Sequence, residues 1–402
     1  MWSDLPKDLI ELILHHLDLG DHIRFSVVCT SWRFAFIKEN SPMLKPLWLA
    51  QSADPEKAII RLLGPFFDEL QGDDRHVGMR YGRGYFGYDG RRCIGSFMGW
   101  LFVIDQSIEC ISLVNPFTGA MISLPPHDNG PYSFYDPYFF TKVVTSNVPC
   151  SDDCIAMGMT HDGRLGICRP KYEVWTLINW CMNYSDIIFH KGLFFGLNSG
   201  RPMSIVVFNV FTFTGSGGTT MANVGDLRLN IPEVRSGGEY YKLYLVESSS
   251  GKLFLVVRNY YSSNREWARI YQYWNEICFP MNADYRNTAG LLTVGFSVYE
   301  VDIKVDITIL YQGLVPVESL GDQALFISQS CSRALPIKDH PGLRGNCIYF
   351  ADDAIRGWDD YLEIGFFDLS SRRIERMKSR AMMEQRVPLF FHLFSTRVLP
   401  DN

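Results

Sequence analysis

Gly82-Arg83-Gly84-Tyr85-Phe86-Gly87 matches G-x-G-x-x-G, the spacing that brings backbone N–H groups to a dinucleotide pyrophosphate. That chemistry needs a strand before the glycines and a helix after them. Here Arg80-Tyr81 precede and Tyr88-Asp89-Gly90-Arg91-Arg92 follow, which reads as a loop or strand edge. Three adjacent acidic pairs, Asp152-Asp153, Asp352-Asp353 and Asp359-Asp360, have the residue type for general acid–base work. Neighbouring strand residues point to opposite faces, so neither carboxylate tunes the other, and aspartate is common in turns for backbone reasons. His15-His16, His22 and His161 are among nine histidines, with no H-x-x-x-H or H-E-x-x-H spacing. No G-x-S-x-G elbow occurs, so the usual metalloprotease and hydrolase constellations are absent.

Ten cysteines lie at 29, 93, 110, 150, 154, 168, 181, 278, 331 and 347 without a C-x-x-C pair. Cys150 and Cys154 have no partner pair or histidine at finger spacing. No metal or cofactor is expected. Arg372 to Arg380 is locally basic and reads as a nuclear address, a contact for an acidic partner or a solvated hairpin tip, the last being favoured. The net charge is −6, which disfavours a chain-wide nucleic-acid footprint, because phosphate binding needs clustered positive charge. No secretory leader and no apolar run of membrane-spanning length is visible. The cysteines then read as reduced thiols of a protein in the cytoplasm, the nucleus or both.

The elements that would position these residues change character along the chain. Leu5, Leu9, Ile10, Ile13, Leu14 and Leu17 recur at steps of three and four, one face of a helix. Pro6 suits its first turn. Ile23, Val27 and Val28 mark a second helix, Trp32 and Phe36 a short third, and Pro42 and Pro46 end the pattern. Three such short helices bury little by themselves, so an outside partner or neighbouring domain must cover them. From about residue 75 the period becomes two. Short strand-like runs include Gly99–Asp105, Ile187–Gly196, Leu253–Tyr260, Val294–Asp302 and Cys347–Ala351, separated by turns such as His190-Lys191-Gly192 and Ser249-Ser250-Gly251. Aromatic residues reach 14% and glycines number 33, a composition for strands and tight turns. Many short antiparallel strands over this length point to radial closure into a propeller, which hides sheet edges. At about 40 to 50 residues per blade, six blades are the first choice and seven the alternative.

Residues 46–75 read as a linker or connector, and Thr214–Thr220 as a flexible loop. The expected division is 1–45 helical, 46–75 connector and 76–398 propeller. The fold class is α plus all-β, in two domains.

Leu5-Pro6-x-Asp8-Leu9-Ile10-x-x-Ile13-Leu14 followed by Arg24-Phe25-Ser26-Val27-Val28-Cys29-x-Ser31-Trp32-Arg33 resembles an F-box. Gly95-Ser96-x-x-Gly99-Trp100-Leu101, Asn115-Pro116-x-Thr118-Gly119, Asp186 to Gly192, Glu318-Ser319-Leu320-Gly321-Asp322-x-Ala324-Leu325-Phe326 and Gly345 to Phe350 resemble the kelch-like, KIB-type propeller of a plant F-box family. The segment 303–313 departs from that pattern, so one strand there is expected to be irregular. The resemblance implies a non-catalytic substrate receptor of a ubiquitin ligase. The F-box would bind a Skp-type adaptor, which joins a cullin and a RING subunit, and the propeller would recruit a target protein. Leu5, Pro6, Leu9, Ile10, Ile13, Leu14, Val27, Val28 and Trp32 match the F-box apolar positions.

For the target, aromatic and arginine side chains are the usual hot-spot residues. Tyr135, Tyr138, Tyr261, Arg265, Trp267, Trp358 and Tyr361 are the candidates, against blade packing as the plainer explanation. The alternative function is a binding or inhibitory protein that engages the adaptor without turnover of its target. A propeller hydrolase or lectin is a third possibility, and it would need converging carboxylates or a polar pocket at the central channel.

Overall fold

In the computed structural model, Lys7–His15 forms helix α1 and the rest of the described chain is almost entirely β-strand. The structure describes residues 5–15, 32, 47–54, 59–63, 76–80, 92–97, 100–105, 110–115, 120–125, 140–147, 149, 151–160, 163–170, 175–179, 183–200, 203–212, 219–229, 231, 240–262, 291–304, 311–328, 331–339, 343–351, 364–376 and 389–393. The expected second and third helices lie outside these residues, apart from Trp32.

The described strands fall into six sheets, each a run of neighbouring antiparallel strands with one exception. The first joins β1 (Leu47–Asp54), β2 (Ile59–Leu63) and β3 (His76–Arg80) to the far strand β25 (Leu389–Leu393). The second runs from β4 (Arg92–Phe97) through β5 (Trp100–Asp105) and β6 (Cys110–Val114) to β7 (Met121–Ser123). The third runs from β8 (Phe140–Thr145) through β9 (Ala156–Thr160) and β10 (Leu165–Cys168) to β11 (Thr176–Asn179). The fourth holds β12 (Tyr184–His190), β13 (Leu193–Asn198), β14 (Ser204–Thr212) and β15 (Thr219–Arg228). The fifth holds β16 (Tyr240–Glu247), β17 (Leu253–Ser262), β18 (Leu291–Lys304) and β19 (Tyr311–Pro316). The sixth is ordered β21 (Arg333–Pro336), β20 (Gln323–Ile327), β22 (Cys347–Ala351), β23 (Ile364–Asp368) and β24 (Arg373–Arg376). In it β20 and β22 run parallel.

The first strands of successive sheets pack side by side, β4 on β8, β8 on β12, β12 on β16 and β16 on β21, and β25 returns to β4. This is a β-propeller. Its apolar cores lie between sheets. Ile94, Phe102, Val143 and Trp175 join the second sheet to the third. Met157, Ile167, Ile187 and Val206 join the third to the fourth. Leu197, Ile205, Leu245 and Leu255 join the fourth to the fifth. Val256, Phe296, Leu325 and Phe350 join the fifth to the sixth. The alternating pattern explains this. The inner strands of the third, fourth and fifth sheets turn apolar side chains to both neighbours, so these three sheets are buried on two faces.

Within residues 46–75, read as a connector, Leu47–Asp54 and Ile59–Leu63 are the strands β1 and β2, and β1 pairs with β25 from Leu47↔Leu393 to Gln51↔Leu389. The β25 partner lies far along the chain, so local pattern could not reveal that pairing. The run Ile187–Gly196 divides into β12 and β13 around a turn in which Lys191 (φ 47°) and Gly192 (φ 84°) take left-handed conformations. Of the segment 303–313, where an irregular strand is expected, residues 305–310 lie outside the described residues, and the flanking strands pair in register from Tyr299↔Pro316 to Lys304↔Tyr311. Thr219 and Thr220, read as loop, belong to β15. Arg372 sits in a turn (φ 58°) that leads into β24, so the basic stretch begins as a hairpin and surface strand.

Candidate functional site

Pro6 opens α1, and its carbonyl accepts the N–H groups of Leu9 (3.1 Å) and Ile10 (3.2 Å). Asp8 places an acid in the first turn, where the helix dipole favours it. Ile10 is buried, and Leu5 and Ile13 are half-buried. Pro6 is exposed, and so are Leu9 at 47% and Leu12 at 54%. Trp32 is half-buried. The side chain of Leu14, and Val27 and Val28 altogether, lie outside the described residues. Leu12 was not among the expected contact residues. Its signal was present, since it lies three residues after Leu9 and seven after Leu5, a helical-face spacing. A helix that leaves Leu9 and Leu12 exposed keeps an apolar face available to a partner.

Several polar groups of the inner strands hold sheets together. Lys142 of β8 donates to Asp186 Oδ1 at 2.6 Å, and both side chains are buried. The same oxygen accepts the Ile187 N–H at 2.8 Å, and Oδ2 accepts the Leu245 N–H at 2.7 Å. Three donors thus occupy a buried carboxylate, which gives Asp186 the role of a structural acceptor. His190 Nδ1 lies 3.2 Å from Glu247 Oε1, and this contact holds the Glu247 carboxyl below its usual range. Ser249 donates through its backbone N–H (2.9 Å) and hydroxyl (2.8 Å) to Gln323 Oε1. Ser96 Oγ of β4 lies 3.5 Å from Cys331 Sγ, just ahead of β21.

Of the acidic pairs, only Asp152-Asp153 is described, and both residues are exposed in a turn. Asp153 accepts Asn147 Nδ2 at 3.1 Å and the Ser151 hydroxyl, and the Ser151 bond lowers its pKa. It serves the turn. Asp352-Asp353, Asp359-Asp360 and the glycines 82–87 lie outside the described residues, as does His161. Among the described residues no group of three or more His, Cys, Asp or Glu side chains is placed to hold a metal ion, and no helix is long and apolar enough to cross a membrane.

Of the candidate target-binding residues, Tyr261 is described and exposed. Tyr135, Tyr138, Arg265, Trp267, Trp358 and Tyr361 lie outside the described residues. Sequence reading missed Leu292 and Val294, which share the exposed end of the fifth sheet with Tyr261. Tyr261 and Leu292 are cross-strand partners.

Residues 2–41 match the F-box domain. The F-box protein SKIP23 of Arabidopsis thaliana is 25% identical, an alignment that covers 98% of this chain and 93% of SKIP23. The F-box protein At2g26160, also from Arabidopsis thaliana, is 22% identical over 88% of this chain and 96% of its own. Among solved structures, the N-terminal domain of Nup159 aligns with 87% of this chain and 89% of its own, at 8% identity and a TM-score of 0.36. Residues 73–368 match the KIB1-4 beta-propeller, and with that match across most of its length the chain belongs to the KIB1-4 β-propeller family, carrying an F-box domain at its N-terminus.

Proposed function

We propose that this chain is the substrate-recognition subunit of an SCF-type ubiquitin ligase. Its F-box engages a Skp-type adaptor, and through it a cullin and a RING subunit, while the propeller holds a target protein. The carrying observation is the pair of exposed leucines, Leu9 and Leu12, on a helix whose inner face is anchored by Ile10, within the stretch that matches the F-box. Burying a leucine contributes roughly 1.5 to 3 kcal/mol, so a few such side chains supply a stable interface after the costs of association. The role needs no reactive group of its own. Holding a target beside the transfer machinery raises the effective concentration of the two reactants, and the chain acts as a non-catalytic receptor in the cytoplasm, the nucleus or both.

The six sheets are read as six blades. The recognition domain then starts at β1 rather than at residue 76, because β1 is paired to β25. The F-box occupies 1–45 and is read as a three-helix unit.

Co-purification of the full chain with a Skp-type adaptor tests the reading. The wild-type chain binds, and Leu9→Asp combined with Leu12→Asp reduces binding at least tenfold with an unchanged thermal transition of the propeller. Adaptor binding that survives both substitutions would sink the assignment. Target half-life with and without the F-box separates a degradative receptor from a protein that binds the adaptor and target without turnover.

A further inference from the structure

The fifth sheet is built unevenly. β18 runs from Leu291 to Lys304, but β19 pairs with it only between Tyr299 and Lys304, with one further bond from Val317 N to Val298 O at 2.9 Å. Above that level β18 continues from Leu291 to Ser297 with β17 along one side. Among the described strands none pairs along the other. Tyr261–Ser262 and Leu291–Leu292 also project beyond the first strand, since β16 reaches β17 only as far as Tyr240↔Tyr260.

This projecting end is apolar on one face. Tyr261 is 61% exposed, Leu292 49% and Val294 50%. Tyr261 and Leu292 lie opposite each other, and a register shift between Asn259 and Tyr260 accommodates Val294 as the extra residue. A Cβ placed on Gly295 would meet no atom within 4 Å, so room remains beside the strand. Thr293, between the two exposed apolar residues, points the other way and is buried. Its hydroxyl accepts Arg258 Nε at 2.9 Å. Its carbonyl accepts Nη2 of Arg376, the exposed end of β24, at 2.7 Å. A positive charge therefore sits at the edge, on a backbone carbonyl that an added strand could use.

We propose that the edge of β18 over 291–297 is the docking site for an extended segment of the recruited target, which adds as a strand above β19. The segment alternates apolar residues, which cover Leu292, Val294 and Tyr261, with acidic residues, one of which takes the Arg376 guanidinium as that side chain leaves the Thr293 carbonyl. Strand addition gives affinity through main-chain hydrogen bonds and selectivity through alternate side chains. An uncovered apolar edge is otherwise a template for unwanted pairing, and the bulge at Val294 narrows the choice of partner by bending the strand. This inference rests on the receptor reading for the identity of its occupant.

The test uses the purified full chain and a fluorescein-labelled peptide alternating valine and glutamate, read by fluorescence anisotropy. A second peptide carries N-methyl groups on alternate amides, and a third has lysine for glutamate. The wild-type chain binds the first peptide and binds each control at least tenfold more weakly. Leu292→Lys with Val294→Lys weakens the first peptide at least tenfold, and Arg376→Glu reverses the preference toward the lysine peptide. Thermal melts that match wild type show these surface variants are folded. No binding by the folded wild-type chain, equal binding of the N-methylated peptide, or indifference to the β18 substitutions overturns the proposal. A dimer seen by light scattering that these substitutions dissolve also overturns it, assigning the edge to a second copy. Adaptor co-purification on the same samples keeps the two readings apart. Its absence in the wild type refutes the receptor assignment and leaves the anisotropy result standing.

Discussion

Asp186 receives the Lys142 ammonium at 2.6 Å on one carboxylate oxygen and the Leu245 N–H at 2.7 Å on the other. These groups belong to β8, β12 and β16, the inner strands of three successive sheets. One aspartate therefore fastens three sheets at the wall of the ring, where both charged side chains are shielded from water.

Removing one partner of a buried pair strands the other charge and costs about 3–5 kcal/mol. Asp186→Ala is expected at or above the upper end of that range, because it also orphans the N–H groups of Ile187 and Leu245. Lys142→Met is expected to cost less, since those two backbone donors still compensate the carboxylate. Urea unfolding of the two single variants and the double variant checks this order. A Lys142→Met loss larger than that of Asp186→Ala would refute it.

Two glycines are held by close approach. A Cβ on Gly95 would overlap the Val143 carbonyl oxygen in the neighbouring sheet, and one on Gly158 would press into the Phe140 ring. Either change to alanine is expected to cost about 1–3 kcal/mol, the usual range for overpacking. The remedies differ. Phe140→Leu restores part of the stability of Gly158→Ala, because a side chain can be shortened. Trimming Phe102, which also approaches Gly95, leaves the backbone overlap in place and rescues Gly95→Ala little. Denaturation midpoints of the four variants decide the matter.

Glu247 carries a depressed pKa, caused first by its hydrogen bond with His190. A depressed folded-state pKa means that the folded protein binds fewer protons than the unfolded chain in that range. The contribution is therefore present above the ordinary value of 4.5 and is lost as pH falls through the lower folded value. Thermal midpoints of wild type and Glu247→Gln should differ at neutral pH and converge in acid. Glu247 is substantially exposed, so the difference is small, in the manner of a solvent-screened pair. A gap that widens in acid would contradict the assignment.

The local parts of this fold were legible in the chain. The Leu5, Leu9, Ile13 spacing predicts a helix that α1 supplies, and His190-Lys191-Gly192 predicts the turn that separates β12 from β13. The contacts that close the ring were not legible. Asp186 reads as a strand residue, and its partners Lys142 and Leu245 are far along the sequence with no pattern that links them. The pairing of β1 with β25 likewise depends on a distant partner, and the parallel pairing of β20 with β22 skips over β21. Tyr261 stands out in the sequence as an aromatic residue, and the structure exposes it. Leu292 and Val294 look like ordinary strand residues in the sequence, and their exposure is visible only in the structure.

The pairing of β1 with β25 makes the sheet that follows the F-box a joint product of the two ends of the propeller. A frameshift or stop codon ahead of residue 389 would leave α1 intact while removing the strand that pairs with β1. If the chain is the receptor proposed above, such a truncated polypeptide would keep its F-box and lose part of its recognition domain, and it would compete with the full-length product in a heterozygote.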